Sequence, residues 1–83
     1  MITINVRFVA DELTPGLENG EYEVAGGTTV RELIDLCQSK HGVVLPEQNY
    51  KLMYPLFNGK RVLMDSKLEK PGTLHMCRVV VGG

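Results

Sequence analysis

The feature that most constrains the fold of this chain is a single strong helix signal that lies between strand patterns. The segment GGTTVRELIDLCQSKHG holds Thr29 three residues before Glu32, the spacing of a capping box, which satisfies two backbone amide groups at a helix start. Gly42 is a natural helix end. Four apolar residues recur at helical spacing and form one stripe: Val30, Leu33, Ile34 and Cys37. One helix must therefore cover any sheet that the rest of the chain forms.

The segments before and after this helix carry strand patterns. ITINVRFV alternates apolar and polar residues, which predicts a strand with one buried side. Its expected buried residues are Ile2, Ile4, Val6 and Phe8. EYEVAGG is predicted to return antiparallel to it, and KLMYPLF to form a strand in which Pro55 favours an edge or a bulge. NGKRV, which begins with Asn58 and Gly59, is typical of a hairpin turn and a short strand, and TLHMCRVVV is predicted as the last strand.

The order of these elements is strand, strand, helix, strand, strand, strand. The segment 43–50, which contains Pro46, is predicted as an irregular connection, and DSKLEKPG as a loop around Leu68. One helix on one face of a small mixed sheet of four or five strands is an α+β two-layer architecture. The other face of the sheet would then be uncovered and open to solvent or to a partner.

Composition excludes several classes of function. The 83 residues, 43% of them hydrophobic and 23% charged, are typical of one globular domain. The net charge of −1 lacks the basic excess of a nucleic-acid binder, so no nucleic-acid partner is expected. No apolar run approaches the ~20 residues that span a bilayer, so no membrane partner is expected. The sequence begins without a signal-peptide pattern, and we expect a cytoplasmic protein.

The charged residues are unevenly distributed along the chain. Residues 1–50 include three basic and eight acidic side chains, and residues 51–83 include six basic and two acidic ones, a polarity that steers protein partners. Four basic residues are interpreted as solvated surface rather than as a docking patch: Lys60, Arg61, Lys67 and Lys70. The two cysteines and two histidines lack metal-ligand spacing, and Cys37, inside the helix stripe, is interpreted as a core residue.

The sequence closes on RVVVGG, residues 78–83. Glycine is costly to order and has no side chain to pack, so Gly82 and Gly83 are predicted as a flexible tail behind a domain of residues 1–81. The sequence has no pairing of a histidine with a nucleophile, no metal-ligand set and no phosphate-binding loop. The distinctive chemical group is therefore the carboxylate of Gly83.

The hairpin, the capped helix, NGKRV, Leu68, Gly72 and the terminal Gly82–Gly83 together resemble the ubiquitin-like β-grasp sulfur carriers. This family includes the small subunit of molybdopterin synthase and the sulfur carrier of thiamine biosynthesis. The resemblance implies a ubiquitin-like β-grasp fold and a carrier that is not itself an enzyme and holds no cofactor or metal.

The resemblance also implies the chemistry of the tail. Gly83, preceded by Gly82, would be adenylated with ATP on an E1-like adenylyltransferase, and a sulfur donor would convert it to a thiocarboxylate. The sulfur would then pass to a downstream synthase subunit, with molybdopterin-like cofactor biosynthesis as the favoured pathway.

Alternation along the strands places Arg7, His75 and Cys77 on the uncovered sheet face. Five residues are expected to contact the activating partner: Arg7, His75, Cys77, Val79 and Val81. For His75 we favour a partner contact over proton transfer, because no carboxylate is placed in the sequence to orient it. For Cys77 we favour a contact over a persulfide relay.

Two questions stay open at the level of the sequence. The pattern does not decide whether Leu56 or Phe57 faces the partner. It is also compatible with two other functions: a ubiquitin-like modifier, joined through Gly83 to lysines of other proteins, and a plain interaction module with an inert tail.

Overall fold

The computed structural model describes residues 1–80, in which the elements follow the predicted order with several short additions. The strands are β1 (Ile2–Phe8), β2 (Gly20–Val24), β3 (Thr28–Thr29), β4 (Met53–Phe57), β5 (Lys60–Arg61), β6 (Lys67–Leu68) and β7 (Gly72–Arg78). The helices are α1 (Val30–His41) and α2 (Glu47–Tyr50), and a 3-10 turn covers Asp11–Leu13.

Five strands form one mixed sheet in the order β2-β1-β7-β4-β5. β1 and β7 are parallel, whereas the other neighbouring pairs are antiparallel. α1 covers one face of this sheet, and β3 and β6 form a separate two-stranded pair beside the start of α1. The predicted α+β two-layer architecture is therefore confirmed. Within residues 1–80, every helix is too short or too polar to cross a membrane.

The ends and the buried stripe of α1 are those that the sequence predicts. The Thr29 hydroxyl accepts a hydrogen bond from the Glu32 amide at 3.1 Å, and the Glu32 carboxylate accepts one from the Thr29 amide at 2.9 Å. Gly42 ends the helix with a φ of 65°, a left-handed conformation that glycine adopts without strain. The stripe is fully buried: Val30, Leu33, Ile34 and Cys37.

The two central strands supply the deepest part of the core beneath α1. Four of their side chains have no exposed surface: Ile4, Val6, Leu74 and Met76. Phe8 is also buried and Ile2 is half-buried, so the predicted buried side of β1 is confirmed. The interpretation of Cys37 as a core residue is confirmed in the same way.

The prediction of an irregular connection over residues 43–50 is partly wrong, because α2 forms in its second half. Contacts with α1 stabilise this short helix. The buried Gln38 side chain accepts a hydrogen bond from the Leu45 amide at 2.7 Å and also bonds the Tyr50 hydroxyl. Arg31 donates to the Glu47 carboxylate at 3.0 Å and stacks its guanidinium on the Tyr50 ring. These long-range partners are not visible in local sequence spacing.

Pro55 lies on β4 at a position where its missing amide hydrogen removes no bond to β7. Its carbonyl accepts a hydrogen bond from the Val62 amide at 3.1 Å, on the β5 side of the strand. The amide and carbonyl of one strand residue point to the same side, so the absent donor also faces away from β7. The expectation of an edge strand is wrong, because β4 lies between β7 and β5; the proline is tolerated there because its missing donor faces the short strand β5. The loop around Leu68 is confirmed with the addition of β6, and Leu68 itself is buried.

The turn between β4 and β5 also fixes the start of β7. Asn58 and Gly59 have φ values of 51° and 82°, a left-handed pair typical of a two-residue hairpin turn. The Asn58 amide donates to the Thr73 carbonyl at 3.0 Å, and the Asn58 side-chain oxygen accepts from the Thr73 amide at 2.9 Å. A Cβ atom on Gly72 would collide with the Asn58 side chain, which explains the glycine at that position.

Replacing Leu33 with alanine should lower the free energy of unfolding by about 2–5 kcal/mol, because this fully buried side chain would leave a cavity. Leu36 lies on the same helix but is 44% exposed, so Leu36→Ala is a matched control. We expect that control to lose about 1 kcal/mol or less. Urea denaturation followed by circular dichroism measures both values, and equal losses would contradict the orientation of α1.

Candidate partner interface

The face of the five-stranded sheet that α1 leaves uncovered is called the open face. It consists of Thr3, Asn5 and Arg7 on β1, Glu21 and Glu23 on β2, Tyr54 and Leu56 on β4, and Thr73, His75 and Cys77 on β7. These side chains are exposed or half-buried, whereas the residues that alternate with them are buried except at the strand ends, at Ile2, Gly20, Gly72 and Arg78. The alternation predicted from the sequence therefore determines the composition of this face.

Arg7 and His75 are direct neighbours on the open face. The parallel register of β1 and β7 sets Arg7 opposite His75, and the antiparallel register of β4 and β7 sets His75 opposite Leu56. Cys77, the next open-face residue on β7, lies opposite Tyr54. Arg7, His75 and Cys77 thus lie together, as the sequence predicts. Their contact with a partner stays a prediction.

Leu56, and not Phe57, belongs to the open face. Leu56 is half-buried there, whereas Phe57 is only 9% exposed and packs in the core. Arg61 on β5 lies opposite Leu56, and its guanidinium stacks on the Tyr54 ring at 4.5 Å from the ring centre. An apolar area of Leu56 and Tyr54 therefore adjoins the polar pair of Arg7 and His75.

A shallow depression of about 540 Å³ lies on the open face where β1 and β7 adjoin the chain that leads into β2. Five of its seven lining residues are polar and two are apolar, and they are Asn5, Arg7, Asn19, Thr73 and His75, with Phe8 and Val9. Asn19 is held at this place because the Phe8 amide donates a hydrogen bond to its side-chain oxygen at 2.7 Å. The sequence pattern gave no signal for Asn19, which precedes β2 in a turn-rich segment.

The open face is electrostatically polarised. Glu21 and Glu23 are exposed on the edge strand β2, whereas Arg7 and Arg61 lie on β1 and β5. Charges of opposite sign on different parts of a face favour one orientation of a docking partner and disfavour others. The charge polarity that the sequence shows along the chain is thus also present across this surface.

Two contacts fix the chain where β7 ends. Arg78, the last residue of the strand, forms an ion pair with Glu12 in the 3-10 turn, and this pair holds the pKa of the Glu12 carboxyl below its ordinary value. The Val79 amide donates to the Leu52 carbonyl at 2.8 Å. Val79 is half-buried, and Val80 is 86% exposed. The predictions made for Val81, Gly82 and Gly83 fall outside the described residues.

The chemistry that residues 1–80 offer is limited. Within this part of the chain, no group of three or more histidine, cysteine, aspartate or glutamate side chains could hold a metal ion. Cys37 is fully buried, and burial raises the pKa of its thiol, which disfavours the reactive thiolate. Cys77 is half-buried on the open face. Of these two thiols, only that of Cys77 lies where a partner could reach it.

The sheet order, the parallel central pair and the single covering helix define a ubiquitin-like β-grasp protein. A solved structure described as molybdopterin converting factor subunit 1 from Pyrococcus furiosus is similar over 96% of this chain and 100% of that chain, with 19% identity and a TM-score of 0.66. Small archaeal modifier protein 1 of Haloferax volcanii is similar in two structures, with TM-scores of 0.70 and 0.72.

The two structures of the modifier protein are 19% and 18% identical to this chain. They cover 98% and 96% of this chain, and the matched regions are 99% and 100% of those chains. No family model matches the sequence, and the search of curated proteins finds no similar one. At these identities the similarity shows the fold, and the β-grasp fold expected from the sequence is confirmed.

The Glu12 carboxyl should titrate at a lower pH in the native protein than in an Arg78→Gln variant, because the ion pair favours its charged form. Since the folded-state pKa is lowered, the pair stabilises the fold above the unfolded-state pKa of Glu12. This stability is lost as the pH falls through the folded-state pKa. NMR titration of the side-chain carboxyl carbons measures the shift.

Glu32 is the internal control for this titration. Its pKa is also lowered, but by the hydrogen bonds of the capping box with Thr29, which Arg78 does not touch. The Glu32 titration should be the same in both proteins. A Glu12 titration that is equally insensitive to Arg78→Gln would contradict the ion pair at the end of β7.

Proposed function

We propose that this chain is a small carrier protein whose Gly83 carboxylate is adenylated and converted to a thiocarboxylate for sulfur transfer in cofactor biosynthesis. The observation that supports this best is the similarity, over 96% of this chain and 100% of the other, to a protein described as a molybdopterin converting factor subunit. A molybdopterin-like cofactor is therefore the favoured destination of the sulfur.

The chemistry requires an activating partner because a carboxylate resists nucleophilic attack through its charge and resonance. An E1-like adenylyltransferase would join the Gly83 carboxylate to the α-phosphate of ATP and release pyrophosphate. A donor of sulfide-level sulfur, such as hydrosulfide, would then attack the acyl-adenylate carbon, AMP would leave with the electron pair of the broken C–O bond, and a thiocarboxylate would remain. The partner supplies the groups that stabilise the charge developing in the transition state. Because the activation consumes ATP, we expect the protein to act in the cytoplasm.

The contribution of the carrier is to present its terminus at a fixed place. Arg78 and Val79 are held by Glu12 and by the Leu52 carbonyl, so the segment that follows begins from a defined point. Residues 80–83, if extended, would reach at most ~14 Å, which suffices to enter a neighbouring active site. Glycines at 82 and 83 would pass a narrow entrance, because they have no Cβ atom.

The open face beside this point would dock the activating partner and, later, a synthase subunit. Its expected contact residues are Arg7, His75, Cys77, Val79 and Val81. Arg7, His75 and Cys77 adjoin one another on β1 and β7, and β7 leads directly into residues 79–83. A partner bound to this face would therefore lie next to the segment that it must act on.

A second candidate function is that of a ubiquitin-like modifier, in which Gly83 is joined to lysines of other proteins. The similarity to small archaeal modifier protein 1 favours it. Intact mass spectrometry after expression with the activating enzyme distinguishes the two. A mass increase equal to the exchange of one oxygen for one sulfur indicates the carrier, and a series of heavier protein adducts indicates the modifier.

Deleting Gly82 and Gly83 should abolish ATP–pyrophosphate exchange by the activating enzyme and all thiocarboxylate formation. The shortened protein would end on the carboxylate of Val81, without the two glycines that carry the reacting carboxylate into the active site. The free energy of unfolding should change by less than about 0.5 kcal/mol, since glycines carry no side chain to pack and surface changes usually have small effects on stability. Amide NMR spectra test the fold, and exchange of labelled pyrophosphate tests activation.

Gly26→Ala is the matched control for this deletion. A Cβ atom at Gly26 meets no atom within 4 Å, so the substitution should leave both folding and exchange intact. A folded protein without Gly82 and Gly83 that is still activated would exclude both the carrier and the modifier, and would favour a plain interaction module.

A further inference from the structure

The depression on the open face is surrounded by hydrogen-bond donors. Arg7 offers a guanidinium, His75 lies directly opposite it, and Thr73 precedes His75 on the same side of β7. A guanidinium can only donate, and a histidine ring donates through at least one nitrogen. The depression therefore offers the hydrogen-bond donors that an anion requires, and it lies on the open face.

Asn19 adds a donor whose orientation is fixed. Its side-chain oxygen accepts the hydrogen bond of the Phe8 amide, so the Nδ2 group is the part of the amide that remains available. The Phe8 N–H can only donate, so a rotation that exchanged the oxygen and nitrogen of the Asn19 side-chain amide would break this hydrogen bond. The Asn19 side-chain amide is thus held at the rim of the depression with its N–H groups available to donate to a ligand.

Arg7 has no carboxylate partner of its own within residues 1–80. The arginines that form ion pairs in this part of the chain are Arg31, with Asp35 and Glu47, and Arg78, with Glu12. Arg61, the other arginine of the open face, stacks on Tyr54 instead. Arg7 is exposed beside a histidine, an arrangement that an added anion would stabilise.

The nearest acidic side chains limit which anion fits. Glu21 lies opposite Asn5, which also lines the depression, and Glu23 lies opposite Thr3 on the next row. Two carboxylates on the edge strand would repel a polyanion such as a nucleic acid or a polyphosphate. They would tolerate one singly charged group that enters over Arg7, with a neutral or basic group beside it.

We propose that the depression receives the side-chain carboxylate of an aspartate or glutamate on the surface of the activating enzyme. Arg7 is the main contact, and Asn19, Thr73 and His75 are the supporting donors. Leu56 and Tyr54 on one side, and the 58% exposed Val9 on the other, provide apolar contact around this point. The identity of the partner rests on the proposed carrier function, whereas the preference for a carboxylate rests on the donors alone.

The first experiment tests the donors without any partner. The isolated protein is titrated with N-acetyl-glutamate N-methylamide, which carries one side-chain carboxylate, and amide NMR shifts are followed. Shifts confined to the depression are expected, near Arg7, Asn19, Thr73 and His75. The glutamine analogue is the neutral control and should cause none. Inorganic phosphate should bind no better than the glutamate probe.

The Arg7→Gln protein should lose the response to the glutamate probe, whereas Lys67→Gln should keep it. Lys67 is an exposed residue of β6, outside the five-stranded sheet, and its change removes the same charge. Absent shifts, or equal shifts with the glutamine analogue, would overturn the proposal. Tighter binding of phosphate would also overturn it and would indicate a phosphate-bearing ligand.

The second experiment uses the activating enzyme. Arg7→Gln should raise the KM for the carrier in ATP–pyrophosphate exchange about tenfold, which corresponds to about 1.4 kcal/mol, with little change in kcat. Arg7→Glu should raise it further, Arg7→Lys should recover part of the loss, and Lys67→Gln should match the native protein. Thermal melting of each variant tests whether the fold is intact.

The outcomes separate this inference from the proposed function. If the native protein is not activated at all, the carrier function fails, and the NMR titration still decides whether the depression binds a carboxylate. If activation proceeds and a folded Arg7→Gln protein keeps the native KM, the carrier function stands and the proposed contact is overturned.

Discussion

The parallel pairing of β1 with β7 is the contact on which the rest of the structure depends. It joins the first strand to the last, with Ile4 opposite Gly72 and Phe8 opposite Met76, so most of the chain lies in the loop that it closes. Closing a long loop costs entropy, which burial of apolar surface must repay. The two strands meet this cost because four of their side chains are completely buried under α1: Ile4, Val6, Leu74 and Met76.

The direction of this pairing also connects the open face to the end of β7. Because the strands are parallel, the chain that follows β1 and the chain that follows β7 leave the sheet at the same end. The amides of Val9 and Ala10 both donate to the Met76 carbonyl, at 3.0 and 3.1 Å, and the 3-10 turn comes next. This is why Glu12 can reach Arg78, although they are far apart in the sequence.

Local patterns predicted the elements, because capping and alternation act between residues that are close in sequence. Thr29 with Glu32 predicted the start of α1, and alternation predicted the face on which Arg7 lies. The register between distant strands could not be predicted in this way. The sequence put Arg7 and His75 on one face, but only strand pairing makes them neighbours. The same holds for α2, Asn19 and the Glu12–Arg78 pair, each of which depends on a long-range contact.

The open face is polar because α1 covers the opposite face of the sheet and leaves this one in contact with water. An apolar open face would favour association between copies, whereas charged and half-buried side chains keep such a surface compatible with water. Under the proposed function the chain must bind an activating enzyme, leave it, and bind an acceptor through the same surface. Complementary charges speed association and fix orientation without requiring a large apolar contact. A polar face with one donor-lined depression therefore suits a carrier better than a strongly apolar face would, because release is as necessary as binding.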